Sequence, residues 1–168
     1  MFKRIKVSEI SENPVDMIGK KWMLISAGTA DKFNMMTASW GGIGFMWNVP
    51  VAFAVIRPNR YTYEFVENRD TLTLSFFGEE CRKALSLCGS KSGRDTDKVR
   101  ESGLTPWFCE SGAPAFEEAQ TVLECRKLYS QMMTPEAFID KFIIDKWYGD
   151  GNFHRLYALE IINAFVKG

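Results

Sequence analysis

Two arginines and a threonine lie within one short segment, Arg57-Pro58-Asn59-Arg60-Tyr61-Thr62, between a continuous apolar strand and a short helix. This segment suits a phosphate in three ways. The guanidinium groups supply positive charge and a bidentate fork, the hydroxyl can form a hydrogen bond, and the N–H groups at the start of the helix supply oriented dipoles. The alternative is a pair of surface arginines at a turn. The spacing leaves both interpretations open.

A second basic segment, Ser90-Lys91-Ser92-Gly93-Arg94-Asp95, also leads into a predicted helix. Hydroxyls, a glycine, a lysine and an arginine within a few residues are typical of an anion-binding loop. The alternative is a flexible polar loop. Because two such segments occur in one small chain, we expect that they could serve a single phosphate site.

His154 is the only histidine, and it follows Gly149-Asp150-Gly151-Asn152-Phe153 at the start of the last predicted strand. Histidine is the side chain whose unperturbed pKa lies near neutrality, so His154 could donate a proton or a hydrogen bond. The alternative is a surface or capping residue. A single histidine excludes any zinc site that needs two or more of them.

Trp40 and Trp47 flank a glycine-rich stretch, Gly41-Gly42-Ile43-Gly44, and could either line a planar ligand or pack in the core. The stretch lacks the third glycine of a dinucleotide-binding motif, and no helical pattern follows it. We therefore expect these glycines to allow a tight bend or a close approach of the backbone to a ligand.

Composition narrows the function classes. The chain has 168 residues with 21 Lys+Arg and 21 Asp+Glu, and this zero net charge argues against a dedicated nucleic-acid binder. Its hydrophobic content of 46% predicts one globular domain over residues 1–168. The apolar run Val49–Ile56 is far shorter than the roughly 20 residues of a membrane span. Without an export signal at the start, we expect a cytoplasmic protein whose four cysteines stay reduced.

The hydrophobic pattern predicts many strands with short helices between them. The run at residues 71–76 alternates strictly and is expected to be half-buried, and Asp31-Lys32 is expected to form a tight turn. Strands are predicted over residues 23–28, 34–40, 51–56, 71–76, 121–127 and 154–166, and helices over 61–65, 81–88, 95–102 and 136–142. This order favours an antiparallel barrel over a doubly wound sheet.

With these residues in view, the sequence resembles the flavin reductase-like family, and within it the flavoredoxin-type proteins. The resemblance extends from about Lys20 to the end of the chain and depends on the order and spacing of four pieces. These are Phe33-Asn34-Met35-Met36-Thr37-Ala38-Ser39-Trp40-Gly41-Gly42, the Arg57 to Thr62 segment, Ser90-Lys91-Ser92-Gly93-Arg94-Asp95-Thr96-Asp97-Lys98, and the strand of His154.

The resemblance implies a mainly β fold with short helices, an antiparallel split β-barrel that binds FMN non-covalently and works as a homodimer with sites at the interface. By this analogy Asn34, Thr37, Ala38 and Ser39 run along the flavin, largely through backbone groups. As a hypothesis, Trp40 or Trp47 could stack on the ring or meet its edge and exclude water. Arg60 and Thr62 would hold the phosphate with help from Ser90, Lys91 and Arg94, and Arg57 remains a cofactor-binding candidate because of its place in the first basic segment. His154 would lie near the reactive ring edge or a nicotinamide, although it stands in Asn-Phe-His-Arg rather than in the Asp-His pair common among flavin reductases.

Three functional hypotheses follow. The first is an FMN-dependent oxidoreductase that takes hydride from NAD(P)H. The second is an electron carrier whose bound FMN is reduced by a redox protein. The third is a non-redox module that binds another phosphate-bearing ligand on the same barrel. We expect no nucleic-acid or membrane partner.

Overall fold

An antiparallel sheet of eight strands forms the centre of the molecule, in a computed structural model that describes residues 1–168. Seven strands lie in the order β3-β2-β6-β9-β10-β5-β4, and β1 pairs with β10. The bounds are β1 Phe2–Ile5, β2 Met23–Gly28, β3 Phe33–Ala38, β4 Gly41–Met46, β5 Val49–Ile56, β6 Thr71–Phe76, β9 Thr121–Met132 and β10 Arg155–Lys167. A separate two-stranded sheet pairs β7, Pro106–Phe108, with β8, Pro114–Phe116.

The sheet is open between β3 and β4. These two strands follow each other in the chain with only Ser39 and Trp40 between them, yet they lie at opposite ends of the strand order and do not pair. All pairings are antiparallel, and the curved sheet that fails to close is a split barrel. The predicted fold class is confirmed.

Tight turns connect the strands of the two hairpins beside this opening, β2–β3 and β4–β5. Thr29 and Lys32 exchange backbone hydrogen bonds of 2.9 and 3.1 Å, so the tight turn predicted at Asp31-Lys32 is present. In the β4–β5 hairpin, Trp47 and Asn48 have φ values of 51° and 61°, as a two-residue turn with a twist matched to the strands requires. Trp47 therefore lies at a hairpin tip.

The helices are short and lie on the outside of the sheet. Their bounds are α1 Pro14–Asp16, which continues into a wider turn over Met17–Lys21, then α2 Tyr61–Glu67, α3 Arg82–Ser90, α4 Lys98–Ser102 and α5 Phe142–Trp147. Single 3₁₀ turns cover Val7–Glu9, Glu79–Cys81 and Pro135–Ala137. No helix is long and apolar enough to cross a membrane.

Two helix predictions were wrong in their bounds. The helix expected over residues 136–142 is one 3₁₀ turn, because Thr134 makes no side-chain cap and Phe138 is extended. The chain turns helical only at Phe142, whose N–H donates to the Asp140 carboxylate at 3.0 Å. The helix expected from residue 95 begins at Lys98, since Asp97 caps it by accepting from the Arg100 N–H at 3.1 Å.

Several strand predictions also needed correction. Strand β6 is buried on both faces rather than half-buried, because Thr73 and Ser75 are fully covered and the Thr73 hydroxyl donates to the Pro114 carbonyl at 2.5 Å. The glycine-rich stretch forms edge strand β4 rather than a bend. A Cβ on Gly41 would lie 2.2 Å from the Phe53 carbonyl oxygen of the paired strand β5, so the close approach is between strands. An approach of these glycines to a ligand stays a prediction.

The core consists of two apolar clusters. One fills the barrel interior with residues such as Met23, Ile25 and Tyr157. The other packs α3 and β8 against the sheet around Leu24 and Phe77. All four cysteines are buried and free, as expected, and Cys81, Cys88 and Cys109 belong to the second cluster.

Candidate functional site

A cavity of about 610 Å³, here called the main cavity, opens where the sheet is split. Its walls come from the end of β3, the residues that join it to β4, the end of β5 and helix α3. Eight residues singled out in the sequence line it, namely Thr37, Ala38, Ser39, Trp40, Arg57, Arg60, Ser90 and His154. Its volume lies within the roughly 300–1,000 Å³ of small-molecule and cofactor sites.

A second cavity of about 370 Å³, here called the basic cavity, adjoins the first. Met36, Arg60 and Ser90 line both cavities, so the two lie side by side along these residues. The remaining basic and hydroxyl candidates, Thr62, Lys91 and Arg94, line the basic cavity. The structure thus brings together the two basic segments that are 30 residues apart in the chain.

Asn34 lines neither cavity and instead connects the elements around the basic cavity. It is 4% exposed, and its amide Nδ2 donates to the Thr62 hydroxyl at 2.9 Å. A Cβ on Gly93 would lie 2.1 Å from the Asn34 Oδ1 atom, so the loop before α4 packs directly on this amide. Asn34 therefore fixes strand β3 to helix α2 and to the second basic segment.

Thr37 makes the corresponding link to α3. Its hydroxyl donates to the Leu85 carbonyl at 2.6 Å, and a Cβ on Gly89 would lie 3.3 Å from the Thr37 Cβ. The side chain is thereby used for packing, and the strand end at Thr37 is held against the helix that forms the opposite wall of the main cavity.

Arg60 is a half-buried cation without a counterion. Its Nη2 donates to the Gly89 carbonyl at 2.7 Å, and no carboxylate lies within ion-pair distance. Burial, with a contribution from the nearby Arg57 charge, lowers the pKa of the Arg60 guanidinium from its usual value. An unpaired, partly desolvated guanidinium between two cavities favours an anionic ligand.

Arg94 and Arg57 are already engaged with other groups. Arg94 pairs with Glu64 and lies over the Tyr61 ring at 4.7 Å. Arg57 donates from Nη2 to the Trp147 carbonyl at 2.7 Å and from Nη1 to the Asp150 carboxylate at 3.3 Å. Arg57 thus fastens the segment after α5 to the end of β5, and its role as a cofactor ligand stays a prediction.

His154 immediately precedes β10 and lies at the wall of the main cavity. Its Nδ1 is 2.8 Å from the Tyr148 hydroxyl, and its ring packs against Trp40 at a centroid distance of 5.2 Å. Burial, and secondarily the positive charge of Arg57, lowers the His154 pKa to about 4. The imidazole is therefore neutral at pH 7. When Tyr148 donates to Nδ1, the proton of this neutral ring is on Nε2.

Two tryptophans that sequence reasoning missed complete the aromatic wall. Trp147 meets Trp40 edge-on at 5.0 Å. Trp22 directly precedes β2 with a φ of 72°, and the Arg82 guanidinium lies 3.5 Å from the centre of its indole ring. A positive φ in a bulky residue is strained, and strain of this kind is concentrated at functional sites. Trp47, in contrast, packs near Tyr129 and does not line the cavity.

Comparison with known proteins gives a consistent result. The family model described as "Flavin reductase like domain" matches residues 17–167. Among solved structures, the flavoredoxin from Methanosarcina acetivorans is similar at 22% identity and a TM-score of 0.67, with 98% of this chain and 76% of that chain covered. The flavoredoxin of Desulfovibrio vulgaris (Miyazaki F) is similar at 21% identity, a TM-score of 0.68, and coverage of 97% and 77%.

A further similar structure is the FMN-binding domain of a flavin reductases-like enzyme from Shewanella baltica. It has 16% identity and a TM-score of 0.71, with coverage of 99% of this chain and 77% of that one. No curated protein matches the chain by sequence. The solved structures support the fold alone at these identities, whereas the family model covers most of the sequence.

Proposed function

The chain belongs to the family of flavin reductase like domains, and we propose that it binds FMN non-covalently and transfers electrons through it. One observation carries the proposal. A cavity with aromatic walls adjoins a smaller basic cavity, and Arg60, an unpaired cation, lines both. This combination fits a flat ring system that ends in a phosphate.

The residues present fit this cofactor in size and in charge. The strand end from Thr37 to Trp40 would run along the ring system in the main cavity, opposite α3. Arg60, Thr62, Ser90, Lys91 and Arg94 would surround the phosphate. Bound FMN would supply the redox chemistry, while the protein supplies binding, orientation and electrostatics.

The protein's own contribution near the ring would come from His154. A neutral imidazole held by Tyr148 can offer an N–H to an oxygen or nitrogen in the cavity without adding a full charge. Trp40 and Trp147 would exclude water from the same region. With the Tyr148 hydroxyl donating to Nδ1, His154 would hold its proton on Nε2 beside the reacting centre.

The first experiment is a titration of the purified protein with FMN, followed by flavin absorbance and fluorescence. Saturable binding with one FMN per chain supports the proposal. Absence of binding, together with binding of another phosphate compound, would instead favour a non-redox module.

A second experiment separates a reductase from an electron carrier. The FMN-loaded protein is mixed with NADH or NADPH under anaerobic conditions. Rapid bleaching of the flavin identifies a pyridine nucleotide as the donor. Flavin that remains oxidised with both nucleotides, but is reduced by a redox protein, identifies a carrier.

A homodimer is also part of the proposal. Exposed apolar side chains cluster on and before α5, where Ile139 is 100% and Phe142 65% exposed, and Trp147 connects this surface to the main cavity. Large exposed apolar patches mark interaction surfaces in soluble proteins. A second copy on this face would place the cavity at the interface.

A cytoplasmic location is the last part of the proposal. The four free thiols support it, because cysteines stay reduced in that environment.

A further inference from the structure

Lys98 is a buried lysine in the wall of the basic cavity. It is only 5% exposed and is the first residue of helix α4. Its ammonium donates to the Met35 carbonyl of β3 and to the Cys88 carbonyl of α3, both at 2.8 Å. Lysines are rarely buried to this degree without a paired charge, so this position calls for a physical explanation.

No carboxylate balances the Lys98 charge. None lies within 4.0 Å of its ammonium, and Arg60 on the same cavity wall also lacks an acidic partner. Asp95, which lines the cavity too, is exposed, and Glu64 is paired with Arg94. Two backbone carbonyls stabilise the ammonium but carry no net charge, so the cavity has an excess of positive charge.

The electrostatics of Lys98 agree with this geometry. The Lys98 pKa is lowered to about 8, mainly because the side chain is buried and also because the Arg60 charge repels its ammonium. The nearby Cys88 raises this pKa in part. A dianion between Lys98 and Arg60 would relieve both the desolvation and the repulsion, since each cation would gain a partner.

We propose that Lys98 binds the phosphate of the ligand directly, as the buried cation at the base of the basic cavity, and that it makes the site selective for phosphate-bearing over phosphate-free flavins. This inference rests on the proposed function for the identity of the ligand. An ammonium with three N–H groups uses two on Met35 and Cys88, which leaves one for a phosphate oxygen.

The test compares FMN with riboflavin, which has the same ring system without the phosphate. We expect Lys98→Met to weaken FMN binding by about 10- to 100-fold, the loss of one charge-assisted hydrogen bond, and to leave riboflavin binding unchanged. An equal loss for both flavins would assign Lys98 a structural role, and unchanged FMN binding would also overturn the proposal.

Lys127 provides a matched control. Its ammonium also donates to two backbone carbonyls, of Val66 at 2.6 Å and Glu67 at 3.2 Å, but it lines neither cavity. Lys127→Met should leave the ratio of FMN to riboflavin affinity unchanged. A Lys127→Met effect as large as that of Lys98→Met would mean that any lost lysine–carbonyl bridge disturbs the site.

If Lys98→Met does not fold, a measurement on the unmodified protein tests whether Lys98 binds the phosphate. The affinity ratio of FMN to riboflavin should fall as the pH rises above the Lys98 pKa of about 8, because the ammonium loses its proton, and the total fall should not exceed the roughly 10- to 100-fold expected for Lys98→Met. Of the groups that face it, Arg60 keeps its charge because a guanidinium does not lose its proton in proteins. The Cys88 thiol, with a pKa raised to about 11, stays neutral. A flat ratio would overturn the proposal.

Inorganic phosphate separates this inference from the proposed function. If the unmodified protein fails to bind FMN, the proposed function is wrong. Phosphate should then still raise its thermal unfolding midpoint more than chloride at equal ionic strength, and Lys98→Met should abolish the difference. Equal midpoints in phosphate and chloride would overturn the role of Lys98 as well.

Discussion

At the scale of single residues, the candidate site is a set of cations that differ in how completely they are already neutralised. Arg94 has Glu64 and Arg57 has Asp150, whereas Arg60 and Lys98 have only carbonyl oxygens. Buried charges without partners are costly, and a ligand that pairs with them recovers part of that cost on binding. Arg60 and Lys98 should therefore contribute more to phosphate affinity than the exposed Lys91 or the paired Arg94.

Replacement of Arg60 tests this ranking. We expect Arg60→Ala to weaken FMN binding by about 1.5–3 kcal/mol, the range for a hydrogen bond to a charged group, as measured by calorimetric or fluorescence titration. Arg100→Ala, which removes an exposed arginine of α4 that lines neither cavity, is the control. Unchanged FMN affinity in folded Arg60→Ala protein would refute the phosphate assignment.

Replacement of Arg57 tests whether its positive charge contributes to the low pKa of His154. We expect Arg57→Met to raise the His154 pKa from about 4 toward, but not up to, the usual 6.5, because the repulsive charge is lost while burial remains. The imidazole of the variant should then protonate at a higher pH during acid titration. The His154 ring resonances followed by NMR against pH give both values directly, since this is the only histidine.

A second substitution separates the charge of Arg57 from its tether. Asp150→Asn removes the ion pair but keeps the guanidinium and its bond to the Trp147 carbonyl. It should not raise the His154 pKa, because the positive charge of Arg57, which lowers that pKa, remains in place. An equal rise in both variants would show that loosening of the segment, and not charge, determines the shift.

At the scale of elements, sequence patterns predicted the strands and helices whose hydrophobic pattern lies within their own residues. The alternation in residues 71–76 marks β6, and the i, i+3, i+4, i+7 spacing from Cys81 to Cys88 marks α3. Edge strands β1 and β4 were missed because their residues are largely exposed and carry no regular hydrophobic pattern. The burial of Thr73 depends on β8, whose Pro114 is 41 residues away in the chain and accepts from the Thr73 hydroxyl.

The candidate site likewise has residues that the sequence predicts from local patterns and residues that only tertiary packing brings to a cavity. Segments around Arg60 and Ser90 could be predicted because their chemistry is concentrated in a few consecutive residues. Trp22 and Trp147 could not, because neither belongs to a segment with other candidates and each reaches the main cavity only through tertiary packing. Lys98 ends one of the pieces that carry the family resemblance, but its place in the wall of the basic cavity also depends on tertiary packing. A lysine just after an Asp cap carries no sequence signal that it will be buried.

The contact between Gly93 and Asn34 gives a prediction about how the second basic segment is positioned. A methyl group at Gly93 would overlap the Asn34 Oδ1 atom, which is held in place by the bond to Thr62. We expect Gly93→Ala to lower the free energy of unfolding by about 1–3 kcal/mol, the usual cost of overpacking, and to weaken FMN binding. Urea denaturation and FMN titration measure the two effects.

A double-mutant cycle identifies the cause of that loss. Asn34→Ala alone removes the hydrogen bond to Thr62, but in combination with Gly93→Ala it also removes the overlap. The two substitutions should therefore cost less together than the sum of their separate effects. Gly19→Ala, where a Cβ would meet nothing within 4 Å, should be nearly neutral. Strict additivity in the cycle would contradict the proposed contact.

At the scale of the whole molecule, the zero net charge conceals a strong local separation. Unpaired cations are gathered at the basic cavity, while exposed apolar side chains are gathered on and before α5, between charged residues of both signs. A protein with no net charge has little long-range repulsion to keep two copies apart. Association through the α5 surface would bury Ile139 and Phe142 and cover the open side of the main cavity beside Trp147.

The mass in solution tests this association, and light scattering after gel filtration should give twice the 19.2 kDa of one chain. We expect Phe142→Glu to yield monomer, because the burial of a charge at the contact opposes association, and to weaken FMN binding if the cavity lies at the interface. Val15→Glu, at an apolar residue 76% exposed on α1, should remain dimeric. A monomeric native protein with full FMN affinity would rule out the dimer. A Phe142→Glu monomer that binds FMN as tightly as the native protein would instead place the cofactor site away from the contact.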